Sequence, residues 1–209
     1  MKPNYVKGYH PNLLSWNEFE NIINIRPLMT QERVHILTSD LDMSWDNDVW
    51  TTNPGCYPPS VLEEAIQNYT CWFTEMSRST ETLNNATHKL EQEFNSAVDA
   101  HIYSCRNLDY HPFGIHFDRS DNVIVQCEGT THWKIWGEVF DREQYSKQMN
   151  IVSDPVINTV MEPGDAVFIP AYHPHLATTM TPRLSVSFAM PVPTEPWGGI
   201  YQERHWVRL

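Results

Sequence analysis

No apolar run in this chain is long enough to cross a bilayer. The opening Met1-Lys2-Pro3-Asn4-Tyr5 lacks the apolar stretch of a secretory signal. Cysteine is sparse and scattered. Cys56, Cys71, Cys105 and Cys127 form no C-x-x-C pair, which argues against a zinc knuckle or a dense disulfide framework. Free buried thiols in a reducing, cytoplasmic setting are expected instead. Positive charge is also scarce: 14 Lys and Arg stand against 26 Asp and Glu, for a formal net charge of −12. Such a surface repels phosphate backbones, so direct nucleic-acid binding is not expected. A Lys/Arg-rich protein would be attracted, although the same charge also serves solubility alone. There is no internal repeat, low-complexity tract or Gly/Ser linker.

What is present suits one domain. In 209 residues, 41% hydrophobic content is enough for a sizeable core. Fifteen dispersed prolines favour a loop-rich β fold over a helical bundle. In the first part, Ser15 is placed to cap a helix over 16–25 that turns Phe19, Ile22 and Ile23 to one face. Residues 34–37 read as a strand and 44–59 as a loop. Ser60 is read as the cap of a helix reaching residue 76, and a third helix spans 81–97 with Leu83, Leu90 and Phe94 as its apolar positions. After residue 100 the pattern changes to short β-rich runs at 101–105, 115–117, 122–126, 132–136, 156–161, 166–169, 175–178 and 183–189, with a helix over 142–149. Eight short strands at this spacing predict a mainly β fold, a sandwich or jelly roll. The expected organisation is a helical and loop-rich support region (1–99), a β core (100–190) and a C-terminal tail (191–209).

The chemistry is concentrated in the β part. His116-Phe117-Asp118 is an H-x-D sequence, and residues i and i+2 of a strand project to one face. Both could reach one metal ion. His175 is placed to supply a third ligand, because the turn and strand 164–170 lead directly to it. Two imidazoles and one carboxylate are the facial triad of non-haem Fe(II) oxygenases, which leaves the opposite face of the metal open. His173 shares the parity of His175 and competes with it. His101, His111 and His132 are read as non-ligands, and Trp133 and Trp136 as packing.

The surrounding residues sharpen this. His116-x-Asp118, then Gln126, Gly129 and Trp133, then Gly164-Asp165 before Ile169-Pro170 and His175, then a closing strand over 184–188, resemble the core of JmjC/cupin-type 2-oxoglutarate oxygenases. The likeness covers roughly 100–190 and is closest to the ribosomal oxygenases and to the asparaginyl hydroxylase of hypoxia-inducible factor. It implies a double-stranded β-helix core and Fe(II) bound by His116, Asp118 and His175, with 2-oxoglutarate and O2 as cosubstrates. The implied reaction is hydroxylation of an amino-acid side chain in a protein such as a ribosomal protein; the acidic charge agrees with a basic substrate, and a small-molecule or free amino-acid substrate stays open. Asn122 matches a cosubstrate contact of the asparaginyl hydroxylase, and Tyr103 faces the site by analogy.

One departure stands out. The family places a lysine two residues after the glycine, for the distal carboxylate of 2-oxoglutarate; here that residue is Thr131. Lys134 has the wrong parity to replace it. Arg183 and Ser185 share the inward parity of the closing strand, and an Arg-x-Ser pair suits a carboxylate. Arg183, with Ser185 or Thr131, is the expected replacement. Two alternatives stay open: a cupin metalloenzyme that uses no 2-oxoglutarate, and a non-catalytic jelly-roll binding protein.

Overall fold

The computed structural model of the protein describes residues 1–30, 32–37, 56–108, 114–140, 151 and 153–192. Most of the predicted 44–59 loop, the predicted helix over 142–149, His111 and nearly all of the predicted tail fall outside these residues. The described chain runs β1 (Asn4–Val6), α1 (Trp16–Ile23), β2 (Val34–Leu37), α2 (Pro59–Asn68), β3 (Thr70–Phe73), α3 (Glu81–Phe94), β4 (Asp99–Cys105), β5 (Ser120–Glu128), β6 (Thr131–Ile135), β7 (Ile157–Met161), β8 (Ala166–Ile169), β9 (His175–Thr179) and β10 (Arg183–Pro191). A short 3-10 turn follows α1.

Seven strands form a major sheet in the order β1-β8-β5-β10-β4-β3-β2, and three form a minor sheet, β7-β6-β9. All pairings are antiparallel. One face of the major sheet carries Val123, Val125, Phe168, Val186 and Phe188 into a core shared with Phe19, Leu62 and Leu90 of the three helices. The other face meets the minor sheet through Ile124, Val167 and Ile169 against Trp133, Ile135 and Met161. The fold is therefore a jelly roll with helices on its back, as the composition and turn spacing predicted.

The N-terminal half does more than supply helices. Its β2 and β3 extend the major sheet beyond β4, and β1 closes the opposite edge against β8. The helix predicted to reach residue 76 stops at Asn68, and Thr70-Cys71-Trp72-Phe73 forms β3 instead. Three of those four residues are β-branched or aromatic, and pairing on both sides decides the outcome. Ser60 is not that helix's cap. Pro58 occupies the cap position, and Pro59 starts the helix with its fixed φ and its missing N–H. α1 follows its prediction. The Ser15 hydroxyl accepts from the Glu18 amide while the Glu18 carboxylate accepts from the Ser15 amide.

Candidate metal centre

His116 and Asp118 come from the connection between β4 and β5, and His175 opens β9. The predicted strand over 115–117 is absent. His116 makes a single bridge to His175, its amide donating to the His175 carbonyl at 3.2 Å and its carbonyl accepting from the His175 amide at 2.8 Å. The Tyr172 amide then donates to the Asp118 carbonyl at 2.8 Å. Two short main-chain links thus lay the H-x-D segment along the loop leading into β9. Tyr172 holds φ at +64°, a left-handed conformation rare for a bulky residue, and this bend turns the loop toward Asp118.

The ligand atoms of His116, Asp118 and His175 all lie within 4.8 Å of one another. His116 Nδ1 is 2.9 Å from the Gly114 carbonyl, and His175 Nδ1 is 3.0 Å from the His173 carbonyl. A carbonyl only accepts, so both Nδ1 atoms carry the proton, and Nε2 is the atom of each ring suited to ligate a metal. His175 is 2% exposed; its burial, then the adjacent His116, hold its pKa well below the ordinary imidazole value, so it is neutral at pH 7. Its Nε2 lone pair faces Asp118 Oδ2 at 3.6 Å, acceptor against acceptor. That arrangement is unfavourable by itself and favourable around a cation, so the donor set fits a divalent metal. His173 stays out of the cluster, with Nδ1 turned to the Ala171 carbonyl. His101 pairs with Asp99, and His132 with Asn158.

Below the triad the barrel face is polar. Asn122 bonds Asp118, Ser187 bonds Asn122, and Ser185 lies between Gln126 and Tyr103 in the ladder. The turn before β6 packs on the turn before β10: the Thr130 amide donates to Thr181 Oγ1 at 2.8 Å. Gly129, at φ +67°, sits so close that a Cβ there would lie 2.0 Å from the Pro182 carbonyl oxygen. Thr131 and Arg183 follow these two turns directly, and both are buried. Among the described residues, buried Arg183 Nε and Thr131 Oγ1 have no hydrogen-bond partner. Lys134 has the opposite parity to Thr131 and lies in a half-exposed position. Burial, and then Asp118, raise the pKa of the Tyr103 hydroxyl, while Arg183 acts in the opposite direction. The family alignment turns Ser187 into the barrel, but nothing in the sequence shows its hydrogen bond to Asn122. Nor did it show that the Trp133 indole, its ring centroid 6.0 Å from that of His175, has a buried N–H without a partner.

The sequence profile of the JmjC domain matches residues 76–196, more than half of the chain. This protein belongs to the JmjC family. JmjC proteins are Fe(II)- and 2-oxoglutarate-dependent oxygenases. Among curated relatives, the bifunctional lysine-specific demethylase and histidyl-hydroxylase NO66 of Drosophila persimilis is 25% identical over 170 residues, covering 77% of this chain and 25% of that protein. Ribosomal oxygenase 1 of Danio rerio is 27% identical over 118 residues, 49% of this chain and 22% of that one. Among solved structures, the Escherichia coli ribosomal oxygenase YcfD in complex with cobalt and 2-oxoglutarate superimposes over 92% of this JmjC chain and 49% of its own, with a TM-score of 0.62 at 17% identity. That likeness is one of fold. The JmjC chain spans about a quarter of the first curated relative and about half of YcfD. Among the described residues, no helix is long and apolar enough to cross a membrane.

Proposed function

We propose that this JmjC protein is a dioxygenase that hydroxylates an amino-acid side chain in a basic protein, such as a ribosomal protein, with Fe(II) held by His116, Asp118 and His175. The observation that carries the reading is the convergence of two imidazole lone pairs and a carboxylate on one point, with both Nδ1 protons tied to main-chain carbonyls. When bound, Fe(II) supplies the coupled chemistry in which 2-oxoglutarate and O2 become succinate and CO2 while one oxygen atom enters a substrate C–H bond. The chain's own part is binding and orientation. Arg183, with Thr131 and Ser185, meets the distal carboxylate of 2-oxoglutarate: a buried cation and a buried hydroxyl, each with an unpartnered atom, stand at the foot of the barrel. Tyr103, paired with Ser185 across β4 and β10, is a further contact for the cosubstrate in this reading. Trp133 packs beside the site, its ring centroid 6.0 Å from that of His175. YcfD holding cobalt and 2-oxoglutarate in the same fold agrees with this, as do the ribosomal oxygenases among the relatives. The net charge of −12 agrees with a basic partner, and the free thiols with a reducing cytoplasm.

A 2-oxoglutarate-independent cupin is the second reading, favoured by the threonine at the family's lysine position. Anaerobic titration of Fe(II)-loaded protein with 2-oxoglutarate separates the two. A saturable visible charge-transfer band that disappears in His175→Ala is expected. Bound iron without a band would overturn the 2-oxoglutarate reading, and absence of iron binding would overturn the enzyme.

A further inference from the structure

We infer that Asn122 serves in this chain to fix the metal-binding carboxylate, that Ser187 fixes Asn122, and that neither contacts the cosubstrate. This rests on the Fe(II) and 2-oxoglutarate reading above and departs from the cosubstrate contact that the resemblance assigns to Asn122.

Asn122 has no N–H left to offer a cosubstrate. A side-chain amide has two N–H donors and one carbonyl oxygen. Asn122 Nδ2 lies 3.0 Å from Asp118 Oδ2, 3.0 Å from the Ser120 carbonyl and 3.4 Å from Ser120 Oγ. Its Oδ1 accepts from the Ser187 hydroxyl at 3.1 Å. Both donors are therefore committed. A carboxylate or keto oxygen only accepts, so it finds no N–H at Asn122 and gains nothing from Oδ1. The orientation of the amide is also determined. Reversed, its oxygen would face the Asp118 carboxylate and the Ser120 carbonyl, two acceptors, and its nitrogen would face Ser187.

The relay ends on the central strand of the major sheet. Ser187 lies in β10, paired to His101 of β4 on one side and Ile124 of β5 on the other. Its neighbours Val186 and Phe188 are locked in the core behind the sheet. Ser187 and Asn122 are each 3% exposed, so water does not compete for the bond between them, while the Asp118 end of the relay opens to solvent. Asp118 has no strand of its own, and its carboxylate plane is set through this two-bond relay from β10. Ser187 and Asn122 are positioning residues, acting on the metal through Asp118.

Two equilibria test this in purified, metal-free full-length protein. Co(II) is titrated calorimetrically, and 2-oxoglutarate is then titrated into Co(II)-saturated protein. Asn122→Ala and Ser187→Ala are expected to weaken Co(II) by roughly 10- to 100-fold and to leave 2-oxoglutarate affinity unchanged. Ser187→Thr, which keeps the hydroxyl, is expected to retain wild-type Co(II) affinity. Arg183→Ala is the opposite control, with 2-oxoglutarate weakened and Co(II) unchanged. Loss of 2-oxoglutarate affinity in Asn122→Ala with Co(II) binding intact would overturn the inference and restore the cosubstrate contact. A Ser187→Thr protein as weak as Ser187→Ala would remove the hydroxyl from the relay. Failure of wild-type protein to bind Co(II) would overturn the metal reading itself, a result distinct from either.

Discussion

Arg183 is a guanidinium at 5% exposure whose Nε has no partner. Its burial pulls its pKa down, and Cys105 and Tyr103 only partly oppose this. A buried cation left uncompensated is costly, commonly by several kcal/mol. An anion reaching Arg183 would offset that cost, so cosubstrate affinity here draws on strain already present in the free protein. Arg183→Ala is therefore expected to weaken 2-oxoglutarate by about 1.5–3 kcal/mol, while the unliganded protein melts no lower than wild type. Calorimetric titration beside a melting curve checks both. A large drop in melting temperature with unchanged affinity would make Arg183 a structural residue. At this scale the sequence was informative about residue types but silent about partners. H-x-D and the downstream histidine were visible, whereas the Ser187–Asn122–Asp118 relay joins residues up to 69 positions apart that no local pattern links.

At the scale of elements, the best-read segments were those whose signal is local. α1 carries its own capping box, and β4, β5, β8 and β10 carry alternation or continuous apolar runs between turns. β3 was misread because Thr70–Phe73 continues an apolar helix-like spacing, and only its pairing with β2 and β4 makes it a strand. The 115–117 segment erred in the other direction. It looked extended in sequence, but His116 turns back to Gly114 and pairs once. β10 is the element with most at stake, since Leu184, Val186, Phe188 and Met190 all enter the core behind it. Phe188 is 1% exposed, and Phe188→Ala is expected to cost ~3–5 kcal/mol in a denaturant titration. A loss below ~1 kcal/mol would mean that the helices do not depend on this face for their docking.

For the whole molecule, one carboxylate joins the N-terminal strand to the barrel. Asp165 accepts from the Tyr5 hydroxyl at 2.7 Å, the Gly8 amide at 2.9 Å and the Glu162 amide at 3.1 Å. Burial would raise its pKa, but the Glu162 and Gly8 amides and the Tyr5 hydroxyl outweigh it and hold the carboxyl below its ordinary value. A depressed carboxyl contributes stability that is complete above its unfolded pKa of about 3.9 and disappears as pH falls through the lower folded value. Asp165→Ala is thus expected to lose about 1–3 kcal/mol near neutral pH, with the gap to wild type closing in acid. Melting curves from neutral to strongly acidic pH read this directly, and a gap that stays constant across that range would show that ionisation is not involved. The alternation along β10 has a consequence for redesign. Arg183, Ser185 and Ser187 open to the barrel, while their even-numbered neighbours are the foundation on which the helices stand. A pocket re-cut for a different acid could therefore be drawn on Arg183 and Ser185 of a single strand, leaving Ser187 to hold Asn122, without disturbing what keeps the protein folded.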